Sequence, residues 1–262
     1  MVEVIKSVDD LARQKWDVLV PTMGALHAGH QSLINLGKTL GKKVIVSIFI
    51  NPLQFENRSD LESYPKSFQQ DLNVAEKAGA TAVFIPSESE IYPGQIEKIE
   101  AGSIGDLFEG KSRPGHFSGV LTVVKRLFDL VTPQYAVFGE KDFQQLFLIK
   151  KMVNDLKIPV NVVAAPTIRD SSNLALSSRN SRLSVEEKKI AQVIYNALTQ
   201  NSIDDARELI KKVDGFTLDY LEEIDEQSFN LATSETINKR LIIAGWVNQV
   251  RLIDNMAMGS KK

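Results

Sequence analysis

A chain of 262 residues with a formal net charge of −2, 43% hydrophobic and 24% charged, has room for one large core or two. That balance excludes the global basic field that draws nucleic acid, and the absence of cysteine excludes disulfides, thiolate metal sites and a cysteine nucleophile. Met1 to Asp10 is charged and lacks the apolar core of a signal peptide, and the longest apolar run, Val44 to Ile50, is too short to cross a bilayer; both point to a cytoplasmic protein with no membrane partner.

Val2 to Ile5 reads as a short opening strand and Val8 to Gln14 as a helix begun by Ser7 or Asp9. Asp17 to Val20 is the next strand. It feeds Pro21-Thr22-Met23-Gly24-Ala25-Leu26-His27-Ala28-Gly29-His30, after which Gln31 to Leu40 carries Leu33, Leu36 and Leu40 on one helical face. Gly37 weakens the end of that helix. Strand, glycine-bearing turn, helix is the opening unit of a nucleotide-binding sheet, where helix N-terminal N–H groups and the helix dipole receive phosphate. Gly24 and Gly29 let the backbone turn sharply and approach a ligand. His27 and His30 stand three apart, so both imidazoles can lie on one side and stabilise charge as a phosphoanhydride breaks. The alternative is a loop whose histidines only cap a helix.

Lys43 to Ile50 is apolar almost throughout, as a strand buried on both faces of a parallel sheet should be. It stops at Asn51-Pro52-Leu53-Gln54-Phe55, which places Gln54 beyond a strand's carboxyl end. There its amide can read a small polar substrate, or it is a solvated loop residue. Lys66 to Ala78 reads as a helix closed by Gly79, Ala82 to Ile85 as a strand, and Pro86 to Gly115 as turn-rich with short elements. Lys111-Ser112-Arg113-Pro114-Gly115-His116-Phe117 is either a flap over an anionic ligand or an ordinary basic loop. Gly119 to Leu130 is an amphipathic helix with Val120, Val123, Val124 and Leu127 inward.

Tyr135 to Phe138 is a strand ending at Gly139-Glu140-Lys141-Asp142-Phe143-Gln144-Gln145, which opens a helix to about Asp155. Lys141 at that helix start can meet anionic oxygens and Asp142 can accept from ribose hydroxyls; alternatively the two form a surface ion pair. Val160 to Ala164 is a further strand. In the polar stretch Thr167 to Asn180, Ser177, Ser178 and Arg179 suit a triphosphate, unless the stretch is a plain interdomain linker. Ser184-Val185-Glu186-Glu187 is a capping box opening a helix to about Gln200. Helices over Ile203 to Val213 and Thr217 to Glu226, strands near Phe229 to Ala232 and Leu241 to Asn248, and a last strand over Arg251 to Met256 complete the expectation. Strands and helices alternate to about residue 169 and a small α+β tail follows, which implies two domains.

In this order the segments resemble the pantothenate synthetase (pantoate–β-alanine ligase) family, of the nucleotidyltransferases with a His-x-Gly-His motif. The likeness covers Pro21 to His30, Asn51 to Phe55, Tyr64-Pro65, Arg113 to Val123, Gly139 to Gln145, Arg169 to Asn180 and Arg251 to Asn255. His-x-Gly-His alone is shared with class I aminoacyl-tRNA synthetases and other nucleotidyltransferases. Combined with Gly139-Glu140-Lys141-Asp142 and Ser177-Ser178-Arg179-Asn180 it is far more specific.

The resemblance implies a Rossmann-like parallel-sheet α/β domain over residues 1–169 that binds ATP and pantoate. A linker with ATP contacts (170–180) and a smaller α+β lid domain (181–262) follow, in a homodimer with no nucleic-acid partner. It implies that ATP, with Mg²⁺, and pantoate give pantoyl adenylate and pyrophosphate, and that the β-alanine amine then releases pantothenate and AMP. His30, His27, Lys141 and Arg179 are the catalytic residues so implied, His30 as proton donor. The ATP site falls on Met23, Gly24, Ala25, Leu26, His27, Ala28, Gly29 and His30. It continues on Gly139, Glu140, Lys141 and Asp142, on the Ile168 backbone, and on Leu176, Ser177, Ser178 and Arg179. Gln54 and Gln145 would grip pantoate beside Pro21 and Met23, with Gln54 also touching β-alanine, and no protein metal ligand is assigned. Three positions depart from the family pattern: Asn173 for a common glycine, Leu176 for a frequent methionine, and Gln70 in Gln69-Gln70-Asp71, where relatives often carry an acidic cluster. A nucleotidyltransferase for a phosphorylated acceptor would want cations near Gln54 and Gln145, where this chain has amides. A silent nucleotide-binding protein would have less need for all four catalytic side chains.

Overall fold

The computed structural model describes residues 2–55, 61–62, 64 and 67–259. Met1, Pro65 and Lys66, which figured in the N-terminal reading, the family match and a helix start, lie outside the described residues. The chain divides into two compact units, one of Met1–Glu140 with Gln145–Pro166, the other of Lys141–Gln144 with Thr167–Lys262.

The first unit runs β1 (Glu3–Ile5), α1 (Val8–Leu11), β2 (Val18–Thr22), α2 (Ala28–Leu40), β3 (Val44–Ile48), α3 (Phe68–Ala78) and β4 (Ala82–Phe84). Three single-turn helices follow, α4 (Glu88–Ile91), α5 (Gly102–Gly105) and α6 (Glu109–Ser112), then α7 (His116–Val131), β5 (Tyr135–Gly139), α8 (Phe143–Asp155, of which Phe143 and Gln144 fall in the second unit) and β6 (Asn161–Ala165). The strands form one sheet in the order β1-β4-β3-β2-β5-β6 with every pairing parallel, a Rossmann-like topology. Parallel strands with helices between them are covered on both faces, and Val18 to Val20 and Val44 to Val46 are fully buried, as their unbroken apolar runs required. The chain builds outward from β2 toward β3 in one direction and β5 in the other. The carboxyl ends of β2 and β5 therefore flank the topological switch point, the usual ligand crevice of such sheets. Gly37 has a packing reason: a Cβ there would stand 3.1 Å from Val18 Cγ1 and 3.4 Å from Val44 Cγ1, so α2 lies close against the sheet where glycine allows it.

The second unit holds α9 (Val185–Leu198), α10 (Ile203–Lys211) and a three-stranded antiparallel sheet, β7 (Phe216–Asp225), β8 (Lys239–Val247) and β9 (Val250–Ala257), with β8 central. The Ser184 capping box is present: Ser184 Oγ accepts from Glu187 N at 3.2 Å and Glu187 Oε2 accepts from Ser184 N at 2.7 Å. Ile194, Ala197, Ile210, Leu221 and Ile243 build a core separate from that of the first unit. Two expectations fail here. The helix expected over Thr217 to Glu226 is strand β7; a bulge between Leu218 and Tyr220 puts Leu218 and Leu221 against the same core, while Ile224, in unbroken register three residues on, is buried on the opposite face, so apolar residues recur every three positions and imitate a helix. The strand expected near Phe229 to Ala232 is a turn with one isolated bridge, Ile224 to Leu231, because Phe229 sits at φ +61° and cannot extend.

Candidate active site

Between β2 and α2 the chain reverses over Met23 to Leu26. Thr22 Oγ1 donates to Ser47 O at 2.8 Å and accepts from Gly24 N at 3.3 Å, which ties the turn to the neighbouring strand. Gly24 at φ +86° and Ala25 at φ +50° are both left-handed. Glycine adopts that conformation freely; an alanine stays there only if its surroundings hold it. Asp71 on α3, 2% exposed, supplies the hold: its carboxylate accepts from Ala25 N at 3.0 Å, Leu26 N at 2.7 Å and Ser67 Oγ at 3.1 Å.

His27 is the N-cap of α2. Its Nδ1 accepts from Gly29 N at 3.1 Å, while His30 Nδ1 accepts from His27 N at 3.2 Å, a capping box made of two imidazoles whose centroids are 4.2 Å apart. A neutral imidazole that accepts at Nδ1 carries its hydrogen on Nε2. Both rings are thus set as Nε2–H donors, and the helix dipole favours an anion in front of them. Capping and phosphate contact stood as alternatives in the sequence. The geometry makes them compatible, because the cap uses only one nitrogen of each ring.

The turn after β3 is held from several sides. Asn51 is 1% exposed; its Oδ1 accepts from Leu53 N at 3.2 Å and from the Tyr92 hydroxyl at 2.7 Å, and its Nδ2 donates to Gln54 Oε1 at 3.1 Å and Gly119 O at 3.0 Å. Gln54 is buried, not solvated, and its Nε2 is turned to Met23 Sδ, which brings two of the residues expected around pantoate together. Burial, then the neighbouring Glu88, pushes the Tyr92 hydroxyl well above the usual phenol range, so it stays a donor to Asn51. His116, buried at the start of α7, lies 3.0 Å from Arg113 Nη1 through Nε2 and 2.9 Å from Gln54 O through Nδ1. A guanidinium only donates, so Nε2 accepts and Nδ1–H donates to the Gln54 carbonyl. His116 and Phe117 of this stretch are already helical: α7 begins at His116, three residues earlier than the periodicity indicated.

Gly139 ends β5, and a single 3₁₀ turn over Glu140–Asp142 leads into α8. Lys141 Nζ lies 3.6 Å from Asp142 Oδ1, a loose pair with the lysine side chain 18% exposed. Lys141 O accepts from Asn255 Nδ2 at 2.9 Å. Gln145 is half-buried in the first turn of α8.

In the second unit, Leu176 N donates to Ile168 O at 2.9 Å and Arg169 pairs with Ala175, so this stretch is a hairpin, not an open linker. Its bend is held by Asp170. Burial raises that carboxyl, but hydrogen bonds from Ser172 Oγ, Ser172 N and Leu174 N, with Lys188 nearby, outweigh burial and hold it below the usual carboxylate range. Asn173 sits at φ +66°, in the left-handed region that asparagine tolerates best after glycine. Ser177 Oγ accepts from Arg179 N at 3.3 Å and caps the 3₁₀ turn Ser178–Arg182, which places Ser177, Ser178 and Arg179 on one short, ordered segment.

Sequence reading missed the supports: Asp71, Asn51, Tyr92, His116 and Gly119. Asn51-Pro52 was a legible turn signal, since asparagine caps the residue two ahead. His116 lay in the stretch Lys111 to Phe117 and Asp71 beside Gln70, both noted for other reasons; nothing local marked Tyr92 or Gly119.

A family model described as Pantoate-beta-alanine ligase matches residues 1–257. The pantothenate synthetase of Mycolicibacterium smegmatis is 44% identical over 253 residues, covering 92% of this chain and 80% of that one. That of Thermobifida fusca is 42% identical, covering 92% and 88%. Among solved structures, pantothenate synthetase from Thermus thermophilus superposes with a TM-score of 0.92 at 39% identity, covering 97% of this chain and 99% of that one. Pantoate-beta-alanine ligase from Francisella tularensis, complexed with beta-gamma ATP and beta-alanine, gives 0.85 at 39% identity, covering 98% and 97%. With both the sequence and the fold matched over nearly the whole length, this chain belongs to the pantoate–β-alanine ligase family.

Proposed function

We propose that the chain joins pantoate to β-alanine in two steps at the expense of ATP. A pantoate carboxylate oxygen attacks the α-phosphorus of ATP, and the bond to pyrophosphate breaks. The β-alanine amine then attacks the acyl carbon of pantoyl adenylate, and AMP leaves with its bonding pair as the amine loses a proton. The observation that carries this reading is the paired imidazole cap at the switch point of a parallel sheet. Two Nε2–H donors at a helix N-terminus suit the oxygens on which charge builds as the anhydride breaks. In this reading His30 also donates a proton to the leaving group, a contribution of about 10²–10⁴-fold.

Lys141, Ser177, Ser178 and Arg179 would hold phosphate oxygens, Gly139 and Asp142 the ribose, and the Ile168 backbone the adenine. Gln54 and Gln145 would read the hydroxyl and carboxylate of pantoate, with Pro21 and Met23 as apolar walls. Mg²⁺ would enter with ATP, held by phosphates and water; Asp71 is already engaged by two backbone N–H groups and a hydroxyl, which supports that assignment. Residues 181–262 would act as a lid that keeps water from the acyl adenylate, in a cytoplasmic homodimer.

The test is pyrophosphate release from ATP-Mg²⁺ with pantoate alone, followed by AMP and pantothenate when β-alanine is added. Release that needs pantoate, and product that needs the amine, is the expected result. Release with a phosphorylated acceptor but not with pantoate would overturn the substrate.

A further inference from the structure

Arg251 to Asn255 entered the sequence reading only as part of the family likeness, and no site role described so far uses it. In the structure Asp254 and Asn255 lie on β9, paired with β8, and each is 4% exposed. Buried polar side chains at strand centres are costly unless their hydrogen bonds are made. Here those bonds lead to the segments that carry the proposed phosphate contacts.

Asn255 Nδ2 donates to Lys141 O at 2.9 Å, and its Oδ1 accepts from Arg240 Nη1. Arg240 on β8 donates from Nε to Glu226 Oε1 at 2.7 Å, and its guanidinium carbon stands 4.0 Å from the centroid of the Phe143 ring. Phe143 in turn stacks on the buried Phe229, centroids 6.1 Å apart at 20°. The segment Lys141–Gln144 is thus gripped twice, at the Lys141 carbonyl and at the Phe143 ring. Asp254 meanwhile receives Arg169 in a two-pronged pair, with Nη2 to Oδ1 at 3.1 Å and Nη1 to Oδ2, and its Oδ1 also accepts from Asn255 N at 2.8 Å. Arg169 opens the hairpin that leads to Ser177 and Arg179.

We propose that Asn255 is a positioning residue for Lys141, and that Asp254 does the same for the hairpin leading to Ser177–Arg179, so that one strand sets both segments in register. The proposal rests on the reading of Lys141 as a phosphate contact. A lysine ammonium rides on a flexible four-carbon stem, and its reach depends on where the backbone starts that stem. Asn255 fixes that start.

The experiment is a double-mutant cycle between Asn255→Asp and Lys141→Ala, read as pantoate-dependent pyrophosphate release from ATP-Mg²⁺. Asn255→Asp keeps an acceptor for Arg240 but replaces the donor to Lys141 O with a carboxylate oxygen. Misplacement of about 1 Å can cost ~10²-fold, so kcat should fall about ten- to a hundredfold with the KM for pantoate unmoved. In the Lys141→Ala background the same substitution should change nothing further, because its route of action is gone. Unchanged kcat in Asn255→Asp, or losses that multiply in the double variant, would overturn the proposal. Wild-type kcat in Lys141→Ala alone would instead overturn the reading of the lysine. If Asn255→Asp does not fold, Glu226→Gln loosens the Arg240 brace from its more exposed side and enters the same cycle, with a severalfold loss expected and the same criterion of non-additivity.

Discussion

Replacing Gly119 by alanine sets two opposing effects of known size against each other. In an ordinary exposed helix interior, glycine to alanine stabilises by about 1 kcal/mol. At Gly119 the new Cβ would stand 2.2 Å from Leu53 O, 2.5 Å from Leu53 C and 2.8 Å from Gln54 N. These are backbone atoms of a turn pinned by Asn51 and His116, and no flexible side chain can give way. Carbon contacts settle near ~3.5 Å, so the turn must retreat by about 1 Å. Forced overpacking costs about 1–3 kcal/mol, which offsets the helix gain and in most of that range exceeds it. The same displacement moves the Gln54 amide, and a 1 Å error in a substrate-holding group costs up to ~10²-fold. Urea unfolding together with steady-state kinetics at varied pantoate measures both effects. The expected result is a lower unfolding midpoint, kcat/KM for pantoate reduced about ten- to a hundredfold, and a KM for ATP that barely moves. A variant more stable than the parent with unchanged pantoate kinetics would refute the packing argument and the role of Gln54 with it.

His30→Ala should lose adenylate formation by at least ~10²-fold and also cost about 1 kcal/mol of stability, since it removes half of the capping box; pyrophosphate release and thermal melts check the two separately. Asp71→Asn leaves Ala25 N or Leu26 N without its acceptor, so a loss of about 1–3 kcal/mol in urea titration and a raised KM for ATP are expected. Lys141→Ala should lower kcat more than it weakens ATP binding, measured by turnover beside a direct binding titration; equal losses would mean binding alone. The Tyr92 hydroxyl is held above its ordinary pKa of about 10, so its contribution is full below that pH and fades as pH rises, when the unfolded chain gives up a proton that the folded chain keeps. Tyr92→Phe should therefore flatten the alkaline fall in stability, and melts that fall equally in both proteins would exclude Tyr92 as its source.

Much of the sheet was legible because parallel strands announce themselves. Val18 to Val20 and Val44 to Val46 are apolar at every position, and the glycine, histidine and lysine turns follow their carboxyl ends. The second unit was harder. In β7 a bulge between Leu218 and Leu221, followed by burial of Ile224 on the other face, gives a strand the three-residue spacing of a helix, and neither cause leaves a mark in composition. Phe229 looked like a strand residue because it is aromatic, whereas its place is the end of a ring stack in a turn. Candidate contact residues were readable because they need particular chemistry at particular offsets. Their supports were not, since Asp71 reaches across 45 residues to Leu26 and Asn255 across 114 to Lys141, and local pattern carries no trace of either.

The imidazole cap has a consequence for how such a chain drifts. Holding the start of α2 requires only side-chain acceptors, and serine, asparagine or aspartate at the N-cap position 27, with glutamate or glutamine at position 30, meet that need as well as histidine does. Folding therefore exerts no pressure to keep imidazole at positions 27 and 30. A descendant released from its reaction could exchange both rings for ordinary caps and retain its helix, its sheet and its stability. Whether those two positions still read as histidine is thus a record of selection on chemistry, uncoupled from selection on the fold.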